Sequence, residues 1–113
     1  MVKSWEGPDR GDIIVIDFDP TVGSEQAGIR RALVLSPLSY NLVTGLAILL
    51  PITTKVKGYP YEVAFPSGLN TVGVVLCDHI KNLDWRTRGI TFKEKAPLSV
   101  MVDVQAKLAT LLP

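Results

Sequence analysis

The apolar runs of this chain are short, β-branched and closed off by turn-forming residues. Residues 12–18 (DIIVIDF) lie between Gly11 and Pro20 and read as a strand. Residues 32–36 (ALVLS) and 46–51 (LAILLP) do not alternate with polar residues, so both read as strands buried on two faces. Residues 61–65, 72–77 (VGVVLC) and 89–92 add further short strands, the last at an edge. Between them, 19–29 (DPTVGSEQAGI) is a long loop, 40–45 a turn, 53–60 (TTKVKGYP) a polar, basic loop and 66–70 a turn. The tail differs. Pro97 suits a first helical position, and Leu98, Met101, Val104 or Gln105, Leu108, and Leu111 or Leu112 fall at spacings of three and four. Val100, Val102 and Val104 alternate as a strand would, but sixteen residues is long for one.

The expectation is a single domain over 1–113, mainly β, with five to seven short strands in a closed or nearly closed barrel and a C-terminal helix. A domain of 113 residues buries roughly 65% of its unfolded surface, so it needs no metal or disulfide to fold. The lone Cys77 excludes an internal disulfide and fits a reducing compartment; it reads as a buried, inert thiol. The N-terminus has no apolar stretch of signal-peptide type, and the longest apolar run, 46–51, is far short of a membrane span. A cytoplasmic protein is expected.

Net charge is +1, nearer zero than a strongly basic nucleic-acid binder. The distribution is more telling. No acid lies between Glu25 and Glu62, a stretch that holds Arg30, Arg31, Lys55 and Lys57. Basic surface can therefore exist beneath a neutral total.

Most enzyme chemistries find no support. One His and one Cys make a zinc site improbable, and no phosphate-binding glycine loop, dinucleotide fingerprint or G-x-S-x-G is present. Asp17 and Asp19 share a strand face and could hold magnesium, but such residues more often satisfy loop amides. His79 excludes a two-histidine ribonuclease within one chain and reads as a structural polar group at a strand end. Trp85, between polar neighbours, reads as a partial core or dimer contact. What remains is the loop GSEQAGIRR. Its glycines permit close backbone approach to a ligand, and arginine presents a planar fork that matches two phosphate oxygens.

Nearly the whole chain resembles the MazF/PemK (Kid) toxins. The matching segments are GDIIVIDFDPTVGSEQAG, RALVLSPLSYN, TGLAILLPITTKVKGYPYEV, GVVLCDHIKNLDWRTRG and the final helix. GSEQAG followed by Arg, and ITT followed by KGYP, are specific in combination and order. The resemblance implies an SH3-like, CcdB/MazF-type β-barrel that forms homodimers. It also implies a cofactor-free, metal-independent and sequence-specific endoribonuclease acting on single-stranded mRNA, paired with a MazE-like antitoxin. It carries Arg30, Thr53 and Glu25 over as active-site residues. Where the family usually has Arg-Pro, this chain has Arg30-Arg31, so Arg31 can share the phosphate contact. Ile29 stands where relatives often have His.

On that reading Arg30 and Thr53 stabilise the phosphorane, and Glu25 is the base or orients Arg30. Gln26, Arg31, Lys55, Lys57, Tyr59 and Arg86 belong to the RNA groove, with Arg88 extending its basic stripe. Two other classes compete. A CcdB-like gyrase poison shares the fold, but this chain ends Thr-Leu-Leu-Pro and lacks that family's terminal Trp-Gly-Ile. A catalytically inert nucleic-acid-binding module is opposed by the intact Glu25, Arg30 and Thr53.

Overall fold

The computed structural model describes residues 5–19 and 28–113. Seven strands run through them: β1 (Asp12–Asp17), β2 (Ile29–Val34), β3 (Leu46–Thr53), β4 (Glu62–Ala64), β5 (Val74–Leu76), β6 (Lys81–Asp84) and β7 (Thr91–Lys95). Three helices join them: α1 (Leu38–Thr44), α2 (Trp85–Arg88) and the C-terminal α3 (Leu98–Leu111). All pairings are antiparallel, in the order β4-β5-β3-β2-β1-β7. The other edge of β3 is shared, with β6 along residues 46–49 and β5 along 52–53.

Side-chain alternation sorts the apolar residues onto two faces. One face gathers Ile13, Leu33, Leu50, Ile52, Val63 and Val75, and α3 lays Val100, Val104 and Leu108 over them. The other gathers Ile14, Ile16, Phe18, Ala32, Val34, Ala47 and Leu49 beneath Leu83, Trp85 and Ile90. Burial on both faces is why β1, β2 and β3 carry unbroken apolar runs.

The barrel is approximate, because the sheet does not close by a backbone ladder. β4 and β7 stand at its ends. A carboxylate spans the gap. Glu94 on β7 accepts hydrogen bonds from the Asn70 amide at 3.3 Å, the Thr71 amide at 2.7 Å and the Thr71 hydroxyl at 2.6 Å. Those donors hold its carboxyl below the usual range, the Thr71 hydroxyl foremost; the Arg31 charge adds to the effect, and partial burial opposes it.

Several elements depart from the sequence expectation. Residues 38–44 form a helix where a turn was expected from 40. Pro37 caps its start without a side-chain hydrogen bond, and Gly45 ends it in the left-handed region at φ 72°. The polar strand β6 and the single-turn α2 stand where no element was expected. Asp84 caps α2, its carboxylate accepting from the amides of Arg86 and Thr87. The last strand runs 91–95 rather than 89–92. The buried stripe of α3 is Val100, Val104 and Leu108, whereas Leu98 is 79% exposed and Leu112 66%. Two of the valines that resembled a strand, Val100 and Val104, thus lie on the helix's packing face, while Val102 is exposed.

Candidate active site

The register of β2 against β3 pairs Ala32 with Pro51 and Val34 with Leu49. Beyond the Ala32–Pro51 pair β2 reaches back to Arg30 and β3 runs on to Thr53, and both residues line one cleft. The next strand pairs Thr53 with Val74, and the one after it pairs Leu76 with Glu62. Alternation then puts Arg30, Thr53, Leu76 and Glu62 on one face, from four adjacent strands. That face is the floor of an open cleft of about 400 Å³, whose walls are Lys55, Lys57, Tyr59, Tyr61, Asp78 and His79.

Thr53 is 5% exposed, and its hydroxyl oxygen accepts from the Lys55 amide at 3.1 Å. A hydroxyl that accepts at its oxygen still has its proton to donate. The strand end that carries it is fixed from behind by Gly73, at φ 105°. A Cβ there would fall 2.1 Å from the Thr53 carbonyl oxygen. Only glycine allows β5 to approach so closely.

The loop 54–60 is shaped from within the cleft. Glu62 accepts from the Lys57 amide at 3.2 and 3.3 Å and from the Gly58 amide at 2.9 Å. The Lys57 ammonium lies 5.8 Å from the centre of the Tyr59 ring. Four positive side chains, Arg30, Lys55, Lys57 and Arg31 beside them, thus stand near one strand end.

Sequence reasoning did not single out Tyr61, Glu62, Leu76 or Asp78 for the site. They arrive through the β4–β5 hairpin, where the Cys77 amide donates to the Tyr61 carbonyl. The alternation of residues 61–65 against 72–77 was the available signal. His79 lines the cleft too; its Nδ1 is buried without a partner among the described residues, and Nε2 is 3.9 Å from Asp78.

Other residues lie elsewhere. Glu25 and Gln26 fall outside the described residues. Arg31 leaves β2 on the face opposite Arg30, and its Nη1 donates to the Thr71 hydroxyl at 3.0 Å. Arg86 does not line the cleft. It packs over Gly45, donates to the Leu42 carbonyl and lies 5.2 Å from the centre of the Trp85 ring. That is the opposite end of β3 from Thr53, roughly 23 Å away at about 3.3 Å per residue. Arg88 donates to the carbonyls of Asp17 at 2.8 Å and Asp19 at 2.6 Å, and so ties the β1 end.

Asp17 and Asp19 satisfy loop amides, accepting from Asp19 N at 2.9 Å and Gly28 N at 3.0 Å respectively. Among the described residues no three His, Cys, Asp or Glu side chains form a group suited to a metal ion. Trp85 is a core contact whose indole donates to the Asn41 carbonyl at 3.0 Å. Cys77 is buried, which with the neighbouring Asp78 pushes its thiol up to about 11.

This architecture is shared. The MazF of Deinococcus radiodurans superposes with a TM-score of 0.90 at 48% identity, covering 93% of this chain and 96% of that one. MazF in a MazE–MazF complex from the same organism gives 0.83 at 47% identity, covering 93% and 95%. The endoribonuclease toxin MazF of Escherichia coli K12 is 49% identical over 105 residues, 93% of this chain and 94% of its own length. The endoribonuclease PemK of Escherichia coli is 32% identical over 99% of this chain and 87% of its own. Residues 9–112 match the model of the PemK-like, MazF-like toxins of type II toxin-antitoxin systems. On sequence, fold and cleft together, the chain belongs to that family.

Proposed function

We propose that this chain is an endoribonuclease toxin that cleaves single-stranded RNA at the cleft holding Arg30 and Thr53. The observation that carries the reading is their placement: a guanidinium and a hydroxyl lining one cleft, walled by Lys55, Lys57 and Tyr59. Relatives that align over nearly the full chain are endoribonucleases, and no observed feature favours a gyrase poison or an inert module.

The chemistry divides into three tasks. The ribose 2′-OH attacks the adjacent phosphorus and loses its proton. Negative charge grows on the non-bridging oxygens. The P–O5′ bond breaks, and the leaving oxygen takes up a proton. The products are a 2′,3′-cyclic phosphate, or the 3′-phosphate from its hydrolysis, and a 5′-OH end. Arg30 meets the second task with paired charged donors, and the Thr53 hydroxyl adds a neutral one. Glu25 is the candidate base or orients Arg30; positioned proton transfer is worth about 10²–10⁴-fold in rate. Lys55 and Lys57 follow phosphates, and Tyr59, 60% exposed, offers a face for an unpaired base. Gln26 and Arg31 complete the groove. Arg86 belongs to it only if RNA extends to the far end of β3.

None of these steps requires a metal or cofactor. The protein acts in the cytoplasm as a homodimer, restrained by a MazE-like antitoxin whose acidic tail covers the basic cleft. Among the described residues no helix is long and apolar enough to cross a membrane.

Arg30→Ala and Thr53→Ala are expected to melt as the parent does and to lose cleavage by at least about 10²-fold. The assay is 5′-end mapping on a long single-stranded RNA in excess EDTA. Full activity in a folded Arg30→Ala protein refutes the site. Loss in EDTA with rescue by Mg²⁺ refutes the metal-free chemistry and returns attention to Asp17 and Asp19.

A further inference from the structure

Arg30 and Thr53 border two cavities. Round the strand ends from the cleft lies a second, of about 360 Å³, which shares both residues and adds Ile29, Arg31, Asn70 and Val72. Its volume is within the range of small-ligand sites. If the scissile phosphate sits on the Arg30–Thr53 pair, the RNA strand leaves it in two directions. The first cleft lies on one side of the pair and the second cavity on the other.

The composition of the second cavity indicates what enters. Ile29 is 74% exposed and Val72 64%, two apolar walls with nothing packed on them among the described residues. The Asn70 side-chain amide makes no hydrogen bond to a described residue, so it presents both a donor and an acceptor. Arg31 is anchored by its single bond to Thr71, and its other N–H groups are not taken by described residues. The negative charge of Glu94 lies behind it, and those oxygens already accept three hydrogen bonds. A carboxylate there partly neutralises Arg31 and disfavours a second phosphate. A neutral, flat group with a hydrogen-bonding edge fits better.

We infer that this second cavity binds the nucleobase on the far side of the scissile phosphate from the one held in the main cleft, between Ile29 and Val72, with Asn70 reading its edge. The inference rests on the reading that Arg30 and Thr53 hold the scissile phosphate.

Abasic substitution tests it, because it removes a base and leaves the backbone. Three oligonucleotides carry one mapped cleavage site: intact, abasic immediately 5′ of the scissile bond, and abasic immediately 3′. The proteins are the parent, Asn70→Ala, and Ile29→Ser with Val72→Ser; Arg31 is left intact because it ties the turn to β2. The parent is expected to lose kcat/KM on both abasic substrates, on the order of tenfold each. The variants keep the loss at one position. At the other they cleave intact and abasic RNA alike, at the parent's abasic rate. Unchanged parent-like ratios at both positions, in variants that melt normally, overturn the subsite. Arg30→Ala run alongside separates the two failures: if it is inactive while the ratios are unchanged, only the subsite falls. If it is active, the reading beneath it falls as well.

Discussion

Gly73 shows how a residue without a side chain governs one that has chemistry. Its absent Cβ makes room for the Thr53 carbonyl, and its φ of 105° lies where other residues are strained. Gly73→Ala is expected to destabilise the fold by at least about 2 kcal/mol and to slow cleavage, since the strand end bearing Thr53 must shift. A variant with parental Tm and rate disproves this coupling. Cys77 is the opposite case, a reactive atom type made inert by its surroundings. With a thiol at about 11, on the order of 0.1% is thiolate at pH 8. Iodoacetamide is expected to label the native protein no faster than it unfolds, and rapid native labelling contradicts that burial. Arg30 and Arg31 differ only in the face from which they leave β2, and that decides that one joins Thr53 and the other Thr71.

Elements were legible in proportion to how much of their surface is buried. β1, β2 and β3 pack on two faces, so composition alone marks them. β6 (KNLD) pairs with half of one edge of β3 and buries little, so its sequence looks like a loop. The seven residues of α1 carry no side-chain cap at Pro37, and that leaves only Gly45 as a stop signal. The site was readable as residue types but not as a place. Arg30 and Thr53 share a cleft because β2 and β3 pair in a register that one sequence does not fix, and the β3–β6 pairing carries Arg86 to the other end of β3. The loop 54–60 depends on a contact that only folding creates, the Glu62 carboxylate beneath the Lys57 and Gly58 amides. Glu62→Gln is expected to raise hydrogen exchange at both amides on the order of tenfold, since a neutral acceptor holds them less firmly. Unaltered protection there shows that the loop is held otherwise.

The molecule as a whole is a sheet rolled until its ends nearly meet and then fastened by Glu94. Because the folded carboxyl is held below its ordinary value, its contribution is complete above the unfolded pKa, about 4.3. It is lost as pH falls through the lowered folded value. Thermal melts of the parent and Glu94→Gln should therefore differ by a constant margin from pH 7 to about 5. The margin should shrink below about pH 4.5 as the parent's carboxyl takes up its proton. A margin undiminished at pH 3 means that shape, not charge, fastens the seam.

A ring shut by side chains at one turn behaves differently from a ring laced by amides. Its seam can part without unravelling a ladder, and the turn at 66–73, which carries Asn70 and Val72, would swing with it. The interior under α3 is built from other residues. If the cavity beside Asn70 and Val72 holds a base as inferred, mutational drift at this seam would reshape which sequences are cleaved while the protein goes on folding as before.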